Sequence, residues 1–378
     1  MDFKLSEEQK SIQKMARKFA EAELKPLAGE ADEKEIFPRT QFKKMAALGF
    51  TGITCSQEYG GLGLDHVTYI VVMEEIGKAC LATAGTYSVH QTVQYYFEKF
   101  GTAEQKKEYL PVLSKGEKIG ALVLTESGAG SDVASLTTAA KKGDGFYTIN
   151  GNKIFITTGG EADLYIVLAR TGKEAGAKGI SAFIVDKDAV GLSIGKKERK
   201  MGYGGSPTTE LFFTDCNVSE KDLLGGKEGQ GMRQMLSALD VGRISIGTIA
   251  VGIAQAAFEE ALAYSKERVQ FGEPIFAFQG IQWMFADMAT RIEAARLLCY
   301  QAAYSIDQGS SLSIKQASMA KMMATDVAMS VTTDAVQILG GYGYMKDYPV
   351  ERHMRDAKIL QIVEGTNQIQ KIVIARCL

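Results

Sequence analysis

One tryptophan, three histidines and six prolines are all that the 378 residues contain of those types. His66, His90 and His353 stand far apart, none at metal-ligand spacing from another, so no metal site is expected. The cysteines, Cys55, Cys80, Cys216, Cys299 and Cys377, are odd in number and include no CxxC pair. That pattern speaks against a disulfide frame and for reduced thiols in a cytoplasmic compartment. A formal net charge of −2 offers no broad basic field for nucleic acid. No run approaches the ~18 apolar residues of a membrane span, and the opening Met1-Asp2-Phe3-Lys4-Leu5-Ser6 has neither the basic nor the apolar region of a secretory signal. GxGxxG and GxxxxGK[ST] loops are also missing, which removes support for a nicotinamide-binding or P-loop reading.

The composition that remains, 46% hydrophobic and 23% charged, is that of a soluble globular chain long enough for two or three domains. Ser6-Glu7-Glu8-Gln9 and Thr102-Ala103-Glu104-Gln105 are capping boxes that predict helix starts. Thr40 is expected to cap a short helix ending at Gly49, and another helix begins near Asp65. From 119 onward the pattern changes to short apolar or alternating runs, at 121–124, 146–149, 153–157, 165–169, 180–185 and 211–213. Gly143-Asp144-Gly145 and Asn150-Gly151 read as tight turns between strands. Helical periodicity then returns over 232–269, 278–307 and 313–339. Gly242, Gly247 and Gly252 in the first of these predict close approach of another helix or a ligand. The expected fold is α+β: an all-α domain over 1–118, an antiparallel β-barrel or sandwich over 119–228, and a four-helix bundle over 229–378.

Four stretches could carry chemistry. In Ile359-Leu-Gln-Ile-Val363-Glu364-Gly365-Thr366, a lone carboxylate follows an apolar run and precedes a helix that Thr366 can cap. Glu364 is either a desolvated general base or an ordinary solvated glutamate at a loop-to-helix junction. Leu124-Thr125-Glu126-Ser127-Gly128-Ala129-Gly130-Ser131-Asp132 either admits a planar or phosphorylated ligand to its backbone or is a plain glycine-rich turn. Arg268, with Phe271 and Gln279 beyond it, either forks onto a diphosphate or meets a helix dipole. Gln337-Ile-Leu-Gly340-Gly341-Tyr342-Gly343-Tyr344, followed by Asp347, Arg352 and Asp356, is otherwise a flexible helix end.

In order and spacing, these stretches resemble the acyl-CoA dehydrogenase family of flavoproteins across essentially the whole chain, most closely its short-chain, butyryl-CoA-type branch. The pattern Gln337-x2-Gly340-Gly341-x-Gly343-Tyr344-x2-Asp347-x4-Arg352-x3-Asp356 is matched throughout, while the earlier signature carries Val123 and Ser127 where a small residue and Pro are more usual. The resemblance implies FAD as cofactor, with Glu364 abstracting the α proton of an acyl-CoA thioester and flavin N5 taking the β hydride. It places Leu124, Thr125, Ser131, Phe155 and Thr157 along the flavin. Arg268, Phe271, Gln279, Gln337, Gly340, Gly341, Thr366 and Gln368 would hold the diphosphate and adenosine, partly across a dimer interface. Asp240, Arg243, Ser131 and Gly365 would face the substrate, and relatives that put the base before Arg243 have a carboxylate where this chain has Gly242. The same resemblance implies a homotetramer handing electrons to an electron-transferring flavoprotein. An enoyl-CoA reductase or an oxidase on this scaffold is the rival within the class, and an inactive helical binding protein the rival outside it. Val363 stands where close relatives carry Tyr, which predicts a wider acyl pocket. The helix over 84–97, expected to close that pocket, has no Arg or Lys and offers Tyr87, His90, Gln91, Thr92, Tyr95 and Tyr96.

Overall fold

The computed structural model describes residues 4–172 and 176–378. Six α-helices come first: α1 (Glu7–Phe19), α2 (Ala28–Glu33), α3 (Arg39–Ala47), α4 (His66–Ala79), α5 (Leu81–Phe100) and α6 (Ala103–Ser114). Both capping boxes form. Ser6 Oγ accepts the Gln9 amide at 3.1 Å and Thr102 Oγ1 that of Gln105 at 3.2 Å, while each glutamine side chain returns the bond to the cap amide. The helix expected to begin near Asp65 does so, and Asp65 caps it, accepting the Thr68 amide at 2.7 Å. Thr40 caps nothing, because α3 already starts at Arg39, after Pro38. α4 and α5 are buried along most of their length and form the wall against which the later helices pack.

Seven strands follow: β1 (Gly120–Val123), β2 (Ala139–Lys142), β3 (Phe146–Thr157), β4 (Leu164–Arg170), β5 (Ile180–Asp186), β6 (Leu192–Lys197) and β7 (Thr208–Ser219). They form one sheet in the order β1-β4-β2-β3-β7-β6, with β5 on β4. Antiparallel pairing dominates, as expected, but β1 runs parallel to β4 along four residue pairs, so the sheet is mixed. Gly143–Gly145 makes the expected hairpin turn, the Gly143 amide donating to Phe146 O at 2.8 Å. Asn150-Gly151 does not turn. β3 runs through it with a bulge against β7, because the Asn150 side chain exchanges hydrogen bonds with Asp215 and Gly151 lies over Thr138, where a Cβ would meet Cα at 2.7 Å.

The C-terminal block contains α7 (Gly231–Glu267), a small hairpin of β8 (Val269–Gln270) and β9 (Glu273–Pro274), and then α8 (Gln279–Asp307), α9 (Ser313–Leu339), α10 (Val350–Leu360) and α11 (Asn367–Arg376). α7 lies at the centre, packed on α4, α5, α8, α9 and α10. By length and hydropathy it matches a membrane span, although no continuous apolar run produces that score, and its most apolar window is 78% buried inside the fold. Its glycines answer the expectation of close approach. A Cβ at Gly252 would lie 2.6 Å from Glu74 O on α4, and one at Gly247 would lie 3.2 Å from Cys299 Sγ on α8. Gly242 faces the loop between α10 and α11.

Candidate active site

That loop is where the chain is most constrained. Glu364 has φ +53°, a left-handed conformation in which a non-glycine residue is strained, and Gly365 continues it at φ +85°. The turn persists because its carbonyls are hydrogen-bonded from beneath. Gln370 Nε2 donates to Glu364 O at 3.0 Å and to Gly365 O at 2.8 Å, and Lys321 Nζ on α9 donates to Gly365 O at 2.9 Å. Thr366 then caps α11 through the Ile369 amide. The conformation aims the Glu364 side chain at α7, where an added Cβ on Gly242 would sit 2.6 Å from Oε2 and 2.8 Å from Cδ.

Glu364 remains partly accessible, yet its Oε2 is sealed from solvent and accepts no hydrogen bond. Burial raises its pKa to about 6, against the opposing pull of the Arg243 and Lys321 cations. Arg243 is itself buried and bridged to Asp240 at 2.8 Å, while its Nε has no partner. Tyr69 on α4 and Tyr96 on α5 lie within the field of the carboxylate. The Tyr69 hydroxyl pairs with Ser245 Oγ at 2.8 Å, and the Tyr96 hydroxyl is buried without a partner. A desolvated carboxylate poised near neutrality, with one oxygen free of hydrogen bonds, suits proton abstraction.

Two further clefts carry other expected residues. Beyond β1, Leu124 O accepts Lys153 Nζ at 2.9 Å and Thr125 O accepts the Ile154 amide at 2.9 Å, so the 124–132 loop is fastened to β3. Beneath it Lys153, fully buried, bridges Glu126 at 2.9 Å. Burial opposes ionisation of Glu126, but hydrogen bonds from Thr138 and Thr137 together with the lysine bring its pKa down to about 2. On the outer side Ser131 is exposed, Phe155 is 60% exposed at φ +57°, and Thr157 ends the strand. An exposed phenylalanine in a left-handed conformation beside an open glycine loop leaves a flat apolar face available to a ligand. In the third cleft, a cavity of about 500 Å³, Arg268 at the end of α7 lies over the Tyr342 ring at 5.5 Å and meets Gly340 and Gly341. Gln337 adjoins it through its carbonyl, which accepts the Gly340 amide. Phe271, 96% exposed on the β8–β9 turn, Gln279 at the start of α8 and exposed Gln368 on α11 do not line this cavity.

The family models for the acyl-CoA dehydrogenase N-terminal, middle and C-terminal domains match residues 6–117, 121–216 and 229–378. The chain belongs to the acyl-CoA dehydrogenase family. It is 51% identical to a short-chain-specific acyl-CoA dehydrogenase of Clostridium acetobutylicum, over 99% of each chain. It is 48% identical to an acryloyl-CoA reductase (NADH) of Anaerotignum propionicum, over all of this chain and 95% of the other. The solved butyryl-CoA dehydrogenase of Megasphaera elsdenii superposes with a TM-score of 0.97 at 46% identity, covering 100% and 99% of the two chains.

Several features of this acyl-CoA dehydrogenase site escaped the sequence. Most of the residues expected from 84–97 are spent on the fold: Tyr87 donates to Phe50 O, His90 bonds Leu113 O, Gln91 donates to Thr51 O, Thr92 donates to Ser88 O, and Tyr95 pairs with Ser237. Only Tyr96 keeps a free hydroxyl. Arg352 and Asp356 of the long signature also serve the fold. They line a small cavity between the helices and the 203–205 loop, where Asp356 accepts the Tyr203 amide at 2.6 Å. Lys321 was missed altogether, although a single charge within Ala317-Ser-Met-Ala-Lys321-Met-Met-Ala324 is a usable signal.

Proposed function

We propose that the protein oxidises the Cα–Cβ bond of a short or compact acyl-CoA to the 2-enoyl-CoA, with Glu364 as the base. The observation that supports this most directly is the Glu364 carboxylate, held by a strained turn against Gly242 with Oε2 sealed and unpartnered. Bound FAD supplies the hydride acceptor. The residues fit that cofactor: Phe155 and the hydroxyls of Thr125, Ser131 and Thr157 offer a flat, partly polar wall, and an added Cβ at Gly340 or Gly341 meets nothing in the cleft beside Arg268. Arg268, Gly340, Gly341 and Gln337 would bind its diphosphate end, with Phe271, Gln279, Thr366 and Gln368 completing that site in a homotetramer. Glu364 removes the α proton, Arg243 and Asp240 orient the CoA end with Ser131 and Gly365, and the buried surroundings exclude water from the carboxylate. The site draws on all three proposed domains, 1–118, 119–228 and 229–378. An electron-transferring flavoprotein in the cytoplasm is the proposed acceptor. The likeness to an acryloyl-CoA reductase supports a second reading, in which the same carboxyl group returns a proton to the α carbon.

The absence of Arg and Lys over 84–97 and the small Val363 support an uncharged, compact acyl group. Glu364→Gln tests the base: the purified variant should stay yellow and lose flavin reduction by acyl-CoA by ~10²- to 10⁴-fold. Reduction at the parental rate would place the base elsewhere. Comparing kcat/KM for butyryl-, isobutyryl-, cyclohexanecarboxyl- and glutaryl-CoA tests the pocket. A strong preference for the straight chain removes the wider-pocket reading, and efficient glutaryl-CoA turnover removes the charge argument.

A further inference from the structure

The polar network under the Glu364 turn has no role in the proposed substrate or cofactor binding, yet Lys321, Thr325 and Gln370 within it have no exposed surface. Lys321, with no exposed surface, spans from α9 to Gly365 O and Asn367 Oδ1, both at 2.9 Å. Asn367 is anchored in turn, its Nδ2 donating to Thr325 Oγ1 at 3.0 Å and Asp326 Oδ1 at 2.7 Å. Gln370, also without exposed surface, donates to the carbonyls of residues 364 and 365. A buried ammonium costs several kcal/mol in desolvation unless charge and hydrogen bonds compensate it. Its neighbours here are two neutral acceptors, with the carboxylates of Glu364 and Asp326 close enough to act on it.

We infer that Lys321 is a positioning residue for Glu364, its hydrogen bonds holding the left-handed turn and its charge keeping the carboxylate ionised near neutral pH. This rests on the reading of Glu364 as the base. Glu364 is faced by Arg243 and, behind it, Asp240 from α7, by Lys321 and, behind it, Asp326 from α9, and by the hydroxyls of Tyr69 and Tyr96 from α4 and α5. Arg243, bridged to Asp240 at 2.8 Å, is the stronger cation on Glu364, and Lys321 adds to it from the opposite helix while also tethering the turn. Burial brings the Lys321 pKa down to about 8, so the cation is present at the pH where the base must be ionised.

Two substitutions separate the hydrogen bonds from the charge. Lys321→Gln keeps donors without the charge, and Lys321→Met removes both. In the FAD-loaded enzyme, the pH midpoint of the second-order rate of flavin reduction should move up by about one unit or more in both variants, since an opposite charge at this range favours the ionised carboxylate. The high-pH plateau should fall about 10-fold or more in Lys321→Met only, where the turn also loses its tether. Amide hydrogen exchange over 362–370 should quicken in Lys321→Met, a readout independent of turnover. If Lys321→Met does not fold, Lys321→Gln alone decides the electrostatic part. Parental midpoints in Lys321→Gln overturn the charge role, and parental plateau and exchange in Lys321→Met overturn the tether. If Glu364→Gln is inactive while the Lys321 variants behave as parent, this inference fails alone; if Glu364→Gln is active, the reading of the base fails with it.

Discussion

Gly242→Ala places a methyl group against the Glu364 carboxylate, whose atoms are the three nearest to it. Its Cβ would lie 2.6 Å from Glu364 Oε2 and 2.8 Å from Cδ, whereas non-bonded heavy atoms settle at about 3.5 Å. The carboxylate is the far end of a flexible side chain, so it can withdraw by roughly 1 Å with little cost to the fold. Alanine also favours the helix interior by about 1 kcal/mol over glycine, which offsets the repacking. The expected Tm is therefore within a few degrees of the parent, and higher is as acceptable as lower. Rate is the sensitive quantity. A displacement of about 1 Å in a reacting group costs on the order of 10²-fold, equivalent to about 2.7 kcal/mol of barrier. Stopped-flow reduction of the bound flavin by butyryl-CoA, paired with a thermal melt, measures both. Parental reduction kinetics in Gly242→Ala would refute the placement of Glu364 against α7.

Because burial lifts Glu364 to about 6, its protonated, inactive fraction grows as pH falls, and flavin reduction should drop about tenfold per unit below pH 6; a flat profile between pH 5 and 8 contradicts this. The same raised pKa penalises the ionised folded state, so stability is lost as pH rises from about 4.5 to 6. Glu364→Gln should accordingly gain up to about 2 kcal/mol in denaturant unfolding at pH 7 and nothing at pH 4. Arg268→Ala should purify flavin-poor with a lower Tm that added FAD partly restores, and full occupancy would count against a diphosphate role. Lys153→Met leaves the Glu126 carboxylate buried beside its threonine donors without a cation and should cost about 3 kcal/mol in chemical denaturation; a loss under 1 kcal/mol would show that the threonines suffice.

What could be read from the chain is what local chemistry decides. Ser6, Thr102 and Asp65 cap helices because the cap oxygen and the amide that donates to it lie within three residues, and 313–339 is a helix to the residue because its periodicity is uninterrupted. The glycines of α7 announced close approach through their low helix propensity. The errors lie where distant partners decide. Asn150-Gly151 has hairpin chemistry, but Asp215 and Thr138 from elsewhere in the sheet hold it straight. β2 and β6 are short and mostly exposed, and each ends in two lysines, so neither offers a buried apolar face long enough to detect. Glu364 was legible as a lone carboxylate beside an apolar run, whereas its support was not, since Lys321 reaches a backbone carbonyl 44 residues away and carbonyls leave no mark on sequence.

α7 carries Asp240, Gly242 and Arg243 in one half and ends at Arg268. The 25 residues from Arg243 to Arg268 rise about 37 Å at 1.5 Å each, so a single rod sets the spacing between Arg243 beside Glu364 and Arg268 in its cleft. Deleting one residue between them would swing one end by about 100° relative to the other, carrying its ligands off the cleft. A one-residue change of length in this segment is thus a rotation of every later side chain, whereas exchanging a side chain in place leaves the gauge of the helix as it was.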